Sequence, residues 1–167
     1  LAGIDIISLS IGDPDLPPPQ FMLEALKEEA ANPDNHGYST SRGELEFREA
    51  VADWLNDRFG VDVNPKTEVA ALIGSKEGIA NIARAFIDNG DHVLVPNPAY
   101  PAYANGGAIL NGGIPVSMPL LEEEDFLPDF EALADLKAKI MFLNYPNNPT
   151  GAASDKHFQE KAVDCAL

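Results

Sequence analysis

The chain has 167 residues, about one domain's worth, and its 45% hydrophobic content supports a real core and excludes a disordered tail. Eleven Lys+Arg against 27 Asp+Glu give a formal net charge of −16. That balance argues against a nucleic-acid partner, because duplex affinity depends on neutralising phosphates.

In chain order, Ile4–Ser10 is a short apolar run, and Gly12-Asp13-Pro14-Asp15 with Pro17-Pro18-Pro19 makes a stiff, extended arm. A helix is predicted from about Pro19 to Ala30, with Met22, Ala25, Leu26 and Glu29 at three- and four-residue steps, ending near Asn32-Pro33. The polar loop NHGYSTSR over Asn35–Arg42 leads to a stronger helix over about Gly43–Arg58, on which Phe47, Val51, Trp54, Leu55 and Phe59 follow helical spacing. The pattern then alternates. Strand Val69–Ile73, helix Lys76–Ile87, strand His92–Val95, helix Tyr100–Leu110 and strand Ile114–Met118 form a βαβαβ series. A short helix around Pro128–Leu136, strand Ile140–Leu143 and a final helix from about Ser154 complete it. Such alternation predicts a mostly parallel sheet covered by helices.

Cys165 is the only cysteine, which leaves no internal disulfide framework and makes a reducing cytoplasm the simplest compartment. His36, His92 and His157 lack ligand spacing, so no metal is assigned. The acidic clusters Glu28-Glu29 and Glu122–Asp125 read as solvated faces. No apolar run approaches a membrane span, and LAGIDIISLS lacks the features of a signal peptide, so no membrane partner is expected. The start without Met and the end at Ala166-Leu167, inside a helical pattern, read as cuts rather than natural termini.

Three strand exits carry chemistry. Gly74-Ser75-Lys76-Glu77-Gly78 opens a helix, where free N–H groups and the positive dipole end can hold a phosphate and Ser75 adds a hydroxyl. The alternative is a simple cap, and the spacing is not that of a nucleotide-binding P-loop. Pro96–Tyr103, PNPAYPAY, brackets two tyrosines with prolines and can present an aromatic face to a flat ligand, or pack both rings under the loop. NYPNNPTG, over Asn144–Gly151, leaves the strand at Ile140–Leu143 with three amide side chains, where open α/β sheets bind polar ligands. A flat, phosphorylated, heteroaromatic ligand satisfies all three exits.

The ordered set IGDPD, GYSTSRGELEFREAV, GSKEGI, PNPAYPAY and NYPNNPTG resembles the class I aminotransferases, the pyridoxal-phosphate enzymes of aspartate aminotransferase type, over essentially the entire chain. The wording of FREAVADWLNDRFGVDVNPKTEV, GSKEGIA and FLNYPNNPTGA is most similar to the LL-diaminopimelate aminotransferase branch. The resemblance implies an α/β fold of fold-type I. Residues 1–35 would form an N-terminal arm and part of the small domain, and residues 36–167 the N-terminal half of the cofactor-binding large domain, with helices on both faces of its sheet. It implies pyridoxal 5'-phosphate as cofactor, an amino acid and a 2-oxo acid as substrates, and a homodimer. By motif, Ser75 and the backbone at Gly74 and Lys76 would hold the cofactor phosphate. Tyr100 would stack on the pyridine ring, and Asn148 would hydrogen-bond its phenolic oxygen. Tyr38 would reach the phosphate of the partner subunit's cofactor, and Gly12 would lie beside the substrate carboxylate.

The family also needs a lysine that anchors the cofactor and shuttles a proton, an acid on the pyridine nitrogen and an arginine for the substrate carboxylate. None is found here in its motif, so no catalytic residue is named, and the chain alone is expected to be inactive. It supplies only part of the family's large sheet, so in isolation its unpaired inner strand edges predict poor stability. Three alternatives stand beside an aminotransferase. The first is another enzyme of the same fold, such as a carbon-sulfur lyase or an aminocyclopropane-carboxylate synthase. The second is the effector domain of a transcription regulator, and the third a noncatalytic remnant that keeps the dimer loop around Tyr38.

Overall fold

A computed structural model describes residue 7 and residues 12–167. The apolar run at Ile4–Ser10 therefore lies, apart from Ile7, outside the described residues. The chain divides into two compact units, Leu1–Val69 and Ala70–Leu167, and each is built from its own local signals.

In the first unit, helix α1 spans Gln20–Ala31 directly after the proline run, with Pro19 at its N-cap. Proline suits that position because the first N–H groups of a helix have no partner within it. The helix stops at Asn32, whose side chain accepts a hydrogen bond from the Asp34 N–H (3.1 Å) and starts a 3-10 turn over Pro33–His36. Helix α2 spans Leu45–Phe59 and ends on Gly60 in the left-handed region (φ 67°), where the Gly60 N–H donates to the Asn56 carbonyl (2.8 Å). Arg48 is buried in spite of its charge: its Nε donates to the Gly43 carbonyl (3.1 Å) and its Nη1 to the Pro65 carbonyl. The guanidinium thus ties the loops at either end of α2 to each other, which offsets the cost of burying it.

The second unit holds the sheet. Helix α3 (Ser75–Phe86), strand β1 (His92–Asn97), helix α4 (Ala102–Asn105), strand β2 (Ile114–Pro119), helix α5 (Phe130–Leu133), strand β3 (Ile140–Met141) and helix α6 (Lys156–Ala166) follow in order. The three strands are parallel in the order β2-β1-β3, with His92 opposite Ile114 and Val93 opposite Ile140. Successive residues of β1 point to opposite faces, and the core divides accordingly. Val93 and Val95 pack with Ala83 and Ile87 from the α3 side and with Tyr103 and Ala108 from the α4 side. Leu94 packs with Met118 and Leu133, and Phe130 of α5 lies against that cluster. Helices therefore cover both faces, as a parallel sheet requires.

Two expectations are corrected. Val69–Ile73 is irregular rather than a strand. Among the described residues it has no neighbouring strand, and without a ladder its N–H and C=O groups gain nothing from extended pairing; Leu72 is 50% and Ile73 fully exposed. The helix expected over Tyr100–Leu110 is only the single turn α4, followed by a 3-10 turn over Ile109–Asn111. The break falls at Gly106-Gly107, where the Phe142 ring sits close enough that a Cβ on Gly107 would lie 2.6 Å from Cε2.

Candidate functional site

The β1 to β2 crossover runs through α4, on the α3 face of the sheet, and the β2 to β3 crossover through α5, on the other face. Because β1 and β3 are neighbours with crossovers on opposite faces, the topology reverses between their carboxyl ends. Open α/β sheets bind ligands at such a switch point. The loops that leave there carry Tyr100 and Asn148.

Helix α3 begins on the same side of β1. Gly74 is its N-cap and offers no capping side chain. Glu77 reaches back instead, its carboxylate accepting the Ile73 N–H (2.7 Å), while the Glu77 N–H donates to the Gly74 carbonyl (3.0 Å). The arrangement is like half of a capping box moved back by one residue, to the N–H before the N-cap. It leaves the N–H groups of Ser75 and Lys76, and the Ser75 hydroxyl, without a partner among the described residues. All three donors belong to exposed residues at the positive end of a three-turn helix.

Lys76 joins this end to Tyr100. Its Nζ lies 5.6 Å from the Tyr100 ring centroid, within the range of a cation–π contact. Tyr100, as a hydrogen-bonding partner first and a charge second, raises the Lys76 ammonium above its ordinary pKa. The two readings of the tyrosine pair separate here. Tyr103 is buried and stacked on Phe142, with centroids 5.1 Å apart, and burial followed by the charge of Tyr100 raises its pKa. Tyr100 is half-buried, meets Tyr103 edge-on at 6.0 Å and turns its other side to Lys76. One ring is core and the other is presented. Beside Tyr100, a hollow of about 260 Å³ is lined by Asn97, Ala99, Ala104 and Ser117 among others.

The loop after β3 is knotted by its own amides. Asn147, only 4% exposed, accepts at Oδ1 from the Thr150 N–H (3.2 Å) and hydroxyl (3.0 Å), its N–H donates to the Ala152 carbonyl (2.8 Å), and its carbonyl accepts from Gly151 (2.7 Å). The Asn144 side chain accepts the Asn148 N–H (3.0 Å). Asn148 itself is exposed, and its carboxamide has no hydrogen bond to another described residue. Two of the three asparagines are therefore occupied in building the turn, and the third is free for a ligand.

Gly74, Ser75, Lys76 and Tyr100 are thus brought together at one end of the second unit, and Asn148 stands at the adjacent strand exit. Gly12 and Tyr38 belong to the first unit. Gly12 is exposed, with nothing within 4 Å of where its Cβ would be. Tyr38 is fully exposed on a loop fixed at both ends. On one side Asn35 Nδ2 donates to the Glu29 carbonyl (3.1 Å) and carboxylate (2.6 Å); on the other the Thr40 hydroxyl donates to the Gly43 carbonyl (2.7 Å).

Sequence reasoning missed Tyr145. Its hydroxyl donates to the Phe126 carbonyl (2.9 Å), nineteen residues back along the chain, and burial pushes its pKa up to about 12. Among the described residues no group of three or more His, Cys, Asp or Glu side chains could hold a metal ion, and no helix is long and apolar enough to cross a membrane.

The family model for aminotransferase class I and II matches residues 4–166. The LL-diaminopimelate aminotransferases of Desulforudis audaxviator and Aquifex aeolicus are 53% and 52% identical, each over 98% of this chain and 42% and 43% of their own length. Among solved structures, apo-BacF from Bacillus subtilis superposes with a TM-score of 0.91 at 46% identity, covering 99% of this chain and 42% of that one. A probable N-succinyldiaminopimelate aminotransferase from Thermus thermophilus gives 0.90 at 42% identity, covering 98% and 45%. The chain spans under half the length of these relatives, and within that span it belongs to the class I and II aminotransferase family.

Proposed function

We propose that the protein carrying this chain moves an amino group between an amino acid and a 2-oxo acid with pyridoxal 5'-phosphate as cofactor, and that LL-diaminopimelate is its amino donor. The observation that carries the reading is the set of unpaired donors at the start of α3, next to a presented tyrosine ring. Two N–H groups and a hydroxyl at a helix N-terminus suit a phosphate dianion. A half-buried ring one contact away suits a flat heteroaromatic, and a free carboxamide at the next strand exit suits a phenolic oxygen.

On this reading Ser75, with the backbone of Gly74 and Lys76, holds the phosphate. Tyr100 would stack on the ring, and the Asn148 carboxamide would donate a hydrogen bond to the phenolic oxygen and stabilise negative charge there. Bound in this way, the cofactor supplies an electron sink for breaking a bond at the amino acid's α-carbon. Lys76 lies too close to Tyr100 for its charge to be ignored: an ammonium over one side of the ring adds positive potential beside the phosphate. Gly12 lies beside the substrate carboxylate, where a residue without a side chain leaves room for a ligand. Tyr38 reaches the phosphate bound in a second subunit, so the protein is a homodimer with shared sites. Residues 1–35 serve as the arm and residues 36–167 begin the cofactor-binding domain. A lone free cysteine suits the reducing cytoplasm.

The donor assignment rests on the relatives named LL-diaminopimelate aminotransferase. It is tested by incubating the native, full-length protein with the cofactor, 2-oxoglutarate and one donor at a time. Glutamate formed from LL-diaminopimelate, and at least about tenfold more slowly from N-succinyl-LL-diaminopimelate, phenylalanine or alanine, is the expected result, a discrimination of the size that one well-placed polar contact supplies. Equal rates from all four donors would overturn the assignment of donor, and no glutamate from any would overturn the assignment of reaction.

A further inference from the structure

Among the described residues, the loop after β3 is held to the rest of its unit by one long-range hydrogen bond. The Tyr145 hydroxyl donates to the Phe126 carbonyl, and the Tyr145 ring lies edge-on to Phe158 of α6 with centroids 5.0 Å apart. Phe126 is no ordinary acceptor. It and Asp125 both have positive φ, 57° and 52°, and a bulky residue in the left-handed region is held there only when its surroundings leave no alternative. Two contacts do so here: the Phe126 N–H donates to the Leu121 carbonyl (2.8 Å), and its carbonyl accepts a hydrogen bond from the Tyr145 hydroxyl. Phe158 in turn packs on Phe130 (5.2 Å), which lies against the Leu94 cluster of the sheet. The phenol therefore links the loop bearing Asn148 to a segment whose conformation is fixed from the other side.

We propose that Tyr145 is a positioning residue for Asn148: its hydroxyl, locked on the Phe126 carbonyl, fixes the loop after β3 so that the Asn148 carboxamide is aimed at its ligand. The inference rests on the reading of Asn148 given above. Within the loop, Asn147 fixes the turn on the far side of Asn148 through Thr150, and Asn144 fixes the Asn148 N–H. Those bonds are local and would travel with the loop if it tilted. Among the described residues, the Tyr145 hydroxyl is the long-range hydrogen bond that refers it to the body of the unit. With its pKa at about 12, the phenol remains a donor throughout the working pH range.

The test measures dissociation constants of the native, full-length protein for pyridoxal phosphate and for its 3-deoxy analogue, which lacks the phenolic oxygen. Parent, Asn148→Ala, Tyr145→Phe and Ser75→Ala proteins are compared. The ratio of the two constants reads the contacts made to the phenolic oxygen, among them the one proposed for Asn148. Asn148→Ala is expected to abolish the preference for pyridoxal phosphate. Tyr145→Phe, which removes one oxygen and leaves the ring packing, is expected to reduce it about threefold to tenfold while leaving affinity for the 3-deoxy analogue within about twofold. Ser75→Ala is expected to weaken both ligands equally. If Asn148→Ala abolishes the preference and Tyr145→Phe leaves it intact, the positioning role falls while the reading of Asn148 stands. A Tyr145→Phe protein that loses both ligands equally, or does not fold, would show a general structural role and also overturn the proposal. If Asn148→Ala keeps the preference, the reading of Asn148 itself fails and this inference falls with it.

Discussion

Replacing Asn147 by alanine removes an acceptor that serves two donors of Thr150, the N–H at 3.2 Å and the hydroxyl at 3.0 Å. Each such bond contributes about 1 kcal/mol net, and a buried donor left without a partner costs about 1–3 kcal/mol more. Asn147 is almost wholly buried, but Thr150 is half-buried, so water can reach part of what is stranded. The expected loss is about 2–3 kcal/mol. Replacing the next residue, Asn148, removes a side chain that is exposed and makes no hydrogen bond to another described residue, and such surface changes stay within about 0.5 kcal/mol. Two adjacent asparagines should thus separate cleanly. In urea denaturation of the cofactor-free, full-length protein, Asn147→Ala should lower the midpoint at unchanged slope, and Asn148→Ala should leave it in place. Cofactor affinity should fall in both, in the first because the loop is lost and in the second because the contact is lost. Equal midpoints for the two variants, or a greater loss for Asn148→Ala, would refute the division of labour within NYPNNPTG.

Gly107→Ala should destabilise the protein by about 1–3 kcal/mol in the same assay, because its Cβ would meet the Tyr103 carbonyl at 2.5 Å and the Phe142 ring at 2.6 and 2.7 Å. Gly106→Ala, with its nearest contact at 3.2 Å, should cost less. Asp155→Ala removes the N-cap of α6, where the carboxylate accepts the Phe158 N–H at 2.8 Å, and should cost about 1 kcal/mol, with Asp155→Asn recovering most of it. Burial raises the Tyr145 pKa from 10.0 to about 12, so the folded state holds this proton more tightly than the unfolded chain. The stability it contributes is complete below pH 10 and is lost as pH rises from 10 to about 12. Tyr145→Phe should flatten the alkaline limb of a stability–pH curve over that window, leaving the share due to Tyr103, whose pKa is also raised.

Most of the fold was legible because it depends on short-range periodicity. The helical spacing on either side of Trp54 and the helix after Gly74 emerge within a residue or two of their expected bounds. Val69–Ile73 failed for a reason outside its own sequence: a strand exists only with a partner, and the described residues supply none. The helix after Tyr100 was overestimated because Gly106-Gly107 reads as a weak helix interior, whereas the Phe142 ring, brought in by β3, claims the space that side chains would need. At the site, Gly, Pro and Asn punctuation located the loops after β1 and β3 and the start of α3. Which tyrosine would be buried depended on the stacking of Tyr103 with Phe142, and the anchoring of Tyr145 on Phe126 spans nineteen residues. Neither relation has a signature in one dimension.

On the proposed reading, the start of α3, Tyr100 and Asn148 form one cofactor site. A crystal structure of the full-length protein grown with pyridoxal 5'-phosphate tests it most directly. The phosphate is expected on the N–H groups of Ser75 and Lys76 and the Ser75 hydroxyl, the ring against Tyr100, and the phenolic oxygen within hydrogen-bond distance of the Asn148 carboxamide. A cofactor bound elsewhere, or bound here with Asn148 turned away and Ser75 unengaged, would contradict it.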